Sequence, residues 1–457
     1  MTFDSDNPSR TLSFLCPIGM LGYGVEQSEL DEAQKLGFDV IIVDSGSTDP
    51  GPYLLGLEQS ITPMPLIKRD IQKLIHAART QNAKLIISSC GGPGINSHLA
   101  EIRDFVCEQA KALGYSPKIA AIHQTIEKST IKELLSAAKI ENMEGAPTLT
   151  EAAIDAATNI VAQLGQTPFI KALESEADII LSSRAYDPAP YAAFAHYMGF
   201  NSDAAWHMGK VLECGGVCAE PKSKGIIGRL DDKGFELVPL DKHAACTPTS
   251  VAAHSFYETA DPLVLAGPDG DIDLTCATYE ALDARCVRVE GSTHRSKSHS
   301  LKIEGARVVG HRAMFIGGVT DPIFISFLPK LNKLVHHYMR ENFDEIMSDK
   351  ARIDIKQYGC NGVSAFNTEV ASTNHHELGL LVEVTAENKE IAMRLCAAAR
   401  IAILHAPYPG QKATGGNIAL PHSPSEVDLG PVCEFSVYHI IKDCPQDSFF
   451  NLEILDA

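Results

Sequence analysis

The 457-residue sequence lacks the features that would place it at a membrane or on nucleic acid. No apolar run approaches the ~18 residues of a membrane-spanning helix. The N-terminus has no basic stretch followed by an apolar one, as a signal peptide would have. Positive charge is scarce, because 39 Lys and Arg face 58 Asp and Glu, a formal charge of −19. We therefore expect a cytoplasmic protein with neither nucleic acid nor membrane as partner, since such binding depends on clustered cations.

Several catalytic and metal-binding motifs are also missing. The 12 cysteines are scattered and form no CxxC pair, and no HExxH occurs, so a zinc site is not expected. There is no GxSxG elbow and no GxxxxGK[ST] loop, and GMLGYG (19–24) has the wrong spacing for a dinucleotide fingerprint. The sequence thus predicts no nicotinamide, flavin or pyridoxal cofactor, and it leaves a divalent metal ion possible.

Five short runs in the first half predict buried β-strands, because their apolar residues are continuous and not alternating. The runs are TLSFLCPIG (11–19), FDVIIVDSG (38–46), AKLIISSCGG (83–92), PKIAAIH (117–123) and ADIILSSRA (177–185). Helical spacing of apolar residues falls between them, over 28–37, 65–81, 96–114, 129–138, 150–164 and 167–175. This alternation predicts an α/β fold with a parallel sheet flanked by helices.

The pattern changes near residue 240. Longer alternating strands follow, with helices predicted chiefly over 322–342 and 387–406. A chain of this length exceeds one comfortable core, so two domains are expected. We predict an α/β domain over 1–240 that carries a ligand site at its strand ends, and a C-terminal α+β domain over 241–457.

The segments that follow the predicted strands are rich in glycine and hydroxyl groups. In an open parallel sheet, ligands bind beyond the carboxyl ends of the strands. Glycines there let main-chain N–H groups approach a carboxylate or phosphate, although a glycine after a strand also serves as a plain tight turn. The candidate substrate-binding residues at this edge are Gly22, Ser47, Thr48, Cys90, Gly91, Gly92, Ser183, Arg184 and Tyr186.

Charged residues at the same edge are candidates for catalysis. Arg184 offers a planar fork that suits a carboxylate. Asp44, Asp49 and Asp187 are candidate general bases, or together ligands of a metal ion. Asp49 could equally cap a turn, and Asp187 could equally form a structural bridge to Arg184.

Two further candidates lie outside these loops. Glu213, in HMGKVLECGGVCAEP (207–221), is a candidate acid or base at the end of a predicted helix, unless this segment is only a glycine cap with a buried cysteine. Lys412, in GQKATGGN (410–417), could bring positive charge from the second domain to the strand-end site, together with Thr414 and Asn417. The alternative for that loop is a solvated surface turn.

Several stretches together resemble the acyclic terpene utilisation (AtuA-like) family. They include CPIGMLGYG, DSGSTDPGPYLLG, SSCGGPG, KIEGARVVGHR and, above all, IVAQLGQTPFIKALESEADIILSSRAYDPAPYAA with HMGKVLECGGVCAEP. The resemblance runs through nearly the whole chain in the same order. It implies kinship with proteins that process branched acyl-CoA compounds or carboxylic acids, and it leaves the reaction and the substrate open.

These observations predict an enzyme that acts on a small carboxylic acid or its CoA thioester. A lyase of the hydratase or dehydratase type needs only an acid, a base and an anion hole, as the loops could provide. The alternatives are an acyl-CoA hydrolase or isomerase, and a non-catalytic subunit of a carboxylase-type complex. We expect a small anionic substrate and a homo-oligomer.

Overall fold

The computed structural model describes residues 10–257, 261–360, 362–363, 376–412, 414–444 and 446–457. These residues form two compact units. The first contains the described residues up to Arg307 together with Phe435–Ala457, and the second those of Val308–Glu434. The boundary predicted at residue 240 thus falls within the first unit.

The strands and helices of the described residues are as follows. The strands are β1 Leu12–Cys16, β2 Val40–Asp44, β3 Lys84–Ser88, β4 Lys118–Gln124, β5 Ile140–Asn142, β6 Asn159–Ala162, β7 Ile179–Ser182, β8 Ala219–Glu220, β9 Ile226–Leu230, β10 Gly234–Pro239, β11 Ala245–Cys246, β12 Val264–Ala266, β13 Gly270–Asp273, β14 Thr278–Ala281, β15 Val287–Glu290, β16 Thr293–Ser296, β17 Leu301–Val319, β18 Ala351–Tyr358, β19 Leu378–Ala386, β20 Val427–Ile441 and β21 Phe450–Asp456. The helices are α1 Gln27–Leu36, α2 Tyr53–Gly56, α3 Met64–Gln81, α4 Asn96–Ala112, α5 Lys128–Ser136, α6 Glu151–Ala156, α7 Thr167–Glu174, α8 Ala189–Tyr197, α9 Asp203–Leu212, α10 Pro248–Ser255, α11 Pro322–Asn342, α12 Asp344–Met347 and α13 Lys389–Leu404, and Gly215–Cys218 and Gln446–Ser448 are 3₁₀ turns.

The main sheet of the first unit contains the five predicted strands. They lie side by side and parallel in the order β1-β2-β3-β7-β4, which confirms the α/β fold class. On one side the sheet continues antiparallel through β9, β10, β15 and β14, and on the other through β21. The whole sheet therefore has the order β14-β15-β10-β9-β1-β2-β3-β7-β4-β21.

The parallel strands are apolar throughout because both faces of the sheet are covered. Phe14 and Ile42 belong to a core that includes residues of α7, α8 and α9, whereas Leu15 and Ile41 belong to a core with α1, α3 and α4. Trp206, the single tryptophan, is buried in the first of these cores. This two-sided burial explains why the runs lack alternation.

One predicted helix is wrong over its second half. Helix α6 ends at Ala156, and Asn159–Ala162 forms β6, which pairs antiparallel with β17 at Ile303–Ala306. The β-branched pair Ile160 and Val161 fits a pleated strand, and the partner lies far away in sequence. Local spacing alone therefore misassigned this segment.

The second unit has the α+β character predicted for the C-terminal part of the chain. Strand β19 pairs antiparallel with β17 and with β18. Helices α11 and α13 pack on this sheet, and Phe315, Phe324 and Leu395 belong to their common core with it. None of the described helices is both long enough and apolar enough to cross a membrane.

Candidate active site

The carboxyl ends of β2 and β3 are joined by their side chains. Asp44 and Ser88 are the last residues of the two strands and lie opposite each other in the ladder. The Ser88 hydroxyl donates to Asp44 Oδ1 at 3.1 Å. Beyond them, the Gly91 N–H donates to the Ser45 hydroxyl at 3.0 Å. The turns after these strands therefore meet at one edge, as the sequence predicted.

Arg184 enters this edge from the end of β7. It is 2% exposed, and its N–H donates to the carbonyl of Gly94 at 3.0 Å. Its Nη1 lies 3.2 Å from the Ser89 hydroxyl, 3.4 Å from the Gly46 carbonyl and 3.5 Å from Asp187 Oδ1. These contacts are long for charge-assisted hydrogen bonds, which are typically 2.7–2.9 Å. The guanidinium is thus buried without a close bidentate partner among the described residues.

A second carboxylate, Glu304 of β17, faces the same guanidinium. Glu304 Oε2 lies 3.6 Å from Arg184 Nε, and both atoms are buried without a hydrogen bond among the described residues. Glu304 Oε1 accepts from the Thr48 hydroxyl at 2.9 Å and pairs with Lys302 at 2.7 Å. The side chain of Glu304 is 1% exposed, so its charge is balanced by neighbouring cations and not by water.

Glu213 follows the last turn of α9. Its Oε1 accepts a hydrogen bond from Lys210, one turn earlier, and its Oε2 is buried without a hydrogen-bond partner in the described part of the chain. Burial raises the pKa of Glu213 to about 8, although Lys210 lowers it, and the charge of Asp187 raises it further. A carboxyl group with this pKa carries its proton at neutral pH.

Asp44 and Asp187 have raised pKa values as well. Burial raises the pKa of Asp44 well above its usual value, with a further contribution from the charge of Asp187 and an opposing one from Arg184. Burial also raises the pKa of Asp187, whereas Arg184 and Lys210 lower it. The carboxyl groups from three separate segments therefore act on one another, as expected at a functional site.

The charge of Asp49 also acts on these carboxyl groups, although the Asp49 side chain lies at an exposed turn. It raises the pKa of Asp187 and of Glu213. The Asp49 N–H donates to the Ser47 hydroxyl at 3.1 Å, which closes a small turn. Asp49 therefore closes a turn and also acts electrostatically on the carboxyl groups of Asp187 and Glu213.

Several of the predicted substrate-binding residues already make hydrogen bonds or packing contacts within the protein. The Gly22 N–H donates to Asp70 at 2.9 Å, and the Gly92 N–H to the Ser89 carbonyl at 3.3 Å. Cys90 is fully buried, and burial raises its pKa to about 12. The thiol of Cys90 is therefore protonated and part of the packing.

Two other predicted residues flank Arg184. The Ser183 hydroxyl is buried and donates to the carbonyl of Ile122 at 3.0 Å. Burial, aided by the charge of Glu213, raises the pKa of Tyr186, so this phenol stays protonated. Lys412 is exposed in the second unit. Its predicted approach to this site, with Thr414 and Asn417, stays a prediction.

A metal site is not formed by the predicted aspartates. Among the residues that the structure describes, no three His, Cys, Asp or Glu side chains are grouped so that they could hold a metal ion. The buried acids of the site are instead surrounded by the cations Arg184, Lys210 and Lys302.

Three cavities of the first unit bear on the position of a ligand. A cavity of about 160 Å³ is lined by Tyr186 and Lys302, and one of about 490 Å³ includes Gly94 and Gln124. The third, about 870 Å³, lies at the opposite, amino ends of the strands and includes Asp178. Asp178 there accepts from the Lys118 N–H at 3.0 Å, a contact that ties the starts of two strands together. The carboxyl groups with raised pKa values lie at the carboxyl ends, and these ends are therefore the better candidate for chemistry.

The comparison with known protein families settles the kinship of the chain. Residues 58–427 match the family described as "Acyclic terpene utilisation family protein AtuA". The chain belongs to the AtuA family. No curated protein and no solved structure matches it. AtuA membership points to a role in acyclic terpene utilisation, and it assigns neither a reaction nor a substrate.

The site of this AtuA family member includes residues that sequence reasoning missed. Glu304 and Lys302 lie on β17, more than a hundred residues after Arg184. Their only signal in the sequence was the spacing of two opposite charges by two residues on a predicted strand, and the structure shows that they form an ion pair. Lys210 had a clearer signal, because it precedes Glu213 by three residues on a helix, the spacing of a side-chain pair. The matched range 58–427 contains all of these residues, whereas Asp44 and Asp49 precede it.

Proposed function

We propose that the protein is a lyase that removes water from, or adds it to, a small carboxylic acid or its CoA thioester. The observation that carries this proposal is the buried Glu213 carboxyl group, with a pKa of about 8, among carboxylates and cations at the strand ends. A general acid works best when its pKa lies near the working pH. Glu213 meets that condition in the folded protein.

In the proposed reaction, a 3-hydroxy acid loses water to give a 2-enoate. A base takes the proton from the carbon next to the carboxyl group, and the electron pair of that C–H bond forms the double bond. The C–O bond at the next carbon breaks, and the leaving hydroxide takes a proton from the acid to become water. No oxidant or reductant is required.

Each role falls to a residue of the site. Arg184 holds the substrate carboxylate and stabilises the charge that develops on it. Asp187 is the base, since its raised pKa makes it a stronger proton acceptor than an ordinary aspartate. Glu213 is the acid that protonates the leaving hydroxide, and Lys210 positions its carboxyl group.

Hydrolysis by a thiolate is less well supported than acid–base chemistry. Burial raises the pKa of both Cys90 and Cys214 to about 12, so neither thiol ionises readily at neutral pH. A non-catalytic subunit would need none of the raised pKa values, and turnover by the isolated protein separates that possibility from an enzyme.

The test is water elimination from short 3-hydroxy acids and their CoA thioesters, followed by the ultraviolet absorbance of the enoate product. We expect kcat to fall as the pH rises through about 8, because Glu213 then loses the proton that it must donate. Glu213→Gln should lower kcat by ~10²–10⁴-fold, the usual contribution of a general acid. The control is Glu220→Gln, at an exposed position. No turnover of any member of the panel, or equal rates for Glu213→Gln and wild type, would reject the proposal.

A further inference from the structure

The proposed site contains more acidic than basic side chains. The acids whose charges act on one another or on the arginine there are Asp44, Asp49, Asp187, Glu213 and Glu304. The cations beside these acids are Arg184, Lys210 and Lys302. When all of these groups are ionised, the acids therefore exceed the cations by two charges.

Protonation removes this excess of negative charge but does not reverse it. Burial raises the pKa of Glu213 to about 8, and it raises the pKa of Asp44 well above its usual value. If both carboxyl groups are protonated at neutral pH, the remaining acids and the cations are equal in number. Asp187 must stay ionised to act as the proposed base. The site therefore has no surplus of positive charge in either state.

The cations differ in how closely they are already paired. Lys210 and Lys302 each form an ion pair with a glutamate of the site. The acids nearest to Arg184 are Asp187 and Glu304, at 3.5 Å and 3.6 Å, and its Nε has no hydrogen bond among the described residues. Arg184 can therefore exchange these long contacts for one carboxylate. A second carboxylate would meet lysines whose charge is already compensated.

A second carboxylate would also lie among like charges. The charges of Asp49, Asp187 and Glu304 all act on Arg184, so an anion beside the guanidinium is within reach of several carboxylates. Like charges a few Å apart at a protein site repel strongly, because the effective dielectric constant there is lower than in water. Repulsion of this kind is one of the ways in which proteins reject a wrong ligand.

We propose that the substrate carries a single carboxylate on the carbons that enter the strand-end site, so that the protein selects monocarboxylic and rejects dicarboxylic hydroxy acids. This inference rests on the proposed function, because it takes Arg184 as the carboxylate-binding residue. It goes further by naming the charge of the substrate as the property that the protein selects, with Asp49, Asp187 and Glu304 as the residues that exclude a second carboxylate.

The test compares the binding of 3-hydroxybutyrate with that of malate. The two acids have carbon chains of the same length, and malate has a carboxylate where 3-hydroxybutyrate has its terminal methyl group. Both are ionised at neutral pH. Titration calorimetry measures the Kd of each, and turnover is measured separately. We expect malate to bind at least about 100-fold more weakly, because its second carboxylate finds several like charges and no uncompensated cation.

Asp49→Asn tests the repulsion directly. It removes one negative charge at an exposed turn and keeps the Asp49 N–H that donates to Ser47. We expect the variant to bind malate more tightly than the wild type does, by up to about fivefold, the range for one exposed charge. Damage to the fold would not produce such a gain. The control is Asp104→Asn, which removes a charge of the same sign at an exposed side chain of α4.

The outcomes separate this inference from the proposed function. Malate binding as tightly as 3-hydroxybutyrate, no binding of either acid, or an unchanged ratio of the two Kd values in Asp49→Asn would overturn the inference. Selective binding of 3-hydroxybutyrate without turnover would keep the inference and reject only the lyase activity. Turnover of both acids with equal affinities would reject the inference and leave the lyase activity in place.

Discussion

Arg184 combines deep burial with loose contacts. The residue is 2% exposed, yet its distances to Asp187 and Glu304 are 3.5 Å and 3.6 Å. A purely structural bridge in this environment would gain most from short, paired hydrogen bonds. Under the proposed function, the guanidinium would exchange these long contacts for closer ones to the substrate carboxylate.

Arg184→Lys keeps the charge and removes the planar fork. If Arg184 binds the substrate carboxylate, the variant should lose about 1.5–3 kcal/mol of binding free energy, roughly 10- to 100-fold in Kd. Calorimetric titration of a short hydroxy acid gives the affinity, and thermal unfolding gives the stability. An unchanged affinity with a lower Tm would show that Arg184 only bridges Asp187 and Glu304.

The individual site residues were predictable to different degrees. Asp44 and Asp187 follow strands that sequence patterns can locate, so their meeting at one edge could be expected. Glu213 was predicted at a helix end outside these loops, and its approach to Asp187 was not predicted. Glu304 could not be placed, because its position depends on β17 pairing with β6 across more than a hundred residues. The raised pKa values could not be predicted from the sequence either, since burial in the folded chain causes them.

At the scale of elements, the turn after β3 determines where Arg184 lies. Gly94 has a φ of +70°, and a Cβ atom there would lie 2.3 Å from the main-chain nitrogen of Arg184. The same glycine accepts the Arg184 N–H through its carbonyl group at 3.0 Å. A side chain at this position would therefore push the start of the Arg184 segment away from the turn.

Gly94→Ala should destabilise the fold and weaken ligand binding together. The matched control is Gly114→Ala, because Gly114 has a similar φ of +60° but no atom of the described residues within 4 Å of the place that a Cβ atom would occupy. We expect Gly94→Ala to cost about 1–3 kcal/mol more in the free energy of unfolding than the control, since only it adds a steric clash. Chemical denaturation measures both variants. Equal costs would mean that the turn does not constrain Arg184.

Elements were predicted well where the signal is local. The five apolar runs became the five parallel strands, and the predicted helix over 65–81 is α3, Met64–Gln81. The predicted helix over 150–164 failed because β6 is held as a strand by its distant partner β17. Local periodicity carries no information about such a partner.

At the scale of the whole molecule, the two units are not the N-terminal and C-terminal halves of the chain. The hairpin of β9 and β10 extends the main sheet beside β1, and β21 returns near the C-terminus to pair with β4. The first and the last described residues of the chain therefore both belong to the first unit. Strand pairings of this kind depend on packing and are not visible in composition, which is why the change of pattern near residue 240 does not coincide with the division between the units.

The protein as a whole has an excess of acids, whereas the acids of the site lie beside cations. A formal charge of −19 makes the surface acidic, whereas the strand ends bring together Arg184, Lys210 and Lys302. Surface charges further away than a Debye length of about 8–10 Å are largely screened at physiological salt. The charges within the site, and not the net charge of the protein, can therefore govern how the site receives an anion.

The most direct test of the central claim is proton exchange at the substrate in deuterium oxide. A short 3-hydroxy acid, free or as its thioester, is incubated with the protein, and NMR follows deuterium at the carbon next to the carboxyl group. We predict incorporation by the wild type, its loss in Asp187→Asn, and no change in Asp104→Asn, an exposed control. Absence of incorporation with every acid, or incorporation that persists in Asp187→Asn, would contradict the assignment of acid–base chemistry to the strand ends.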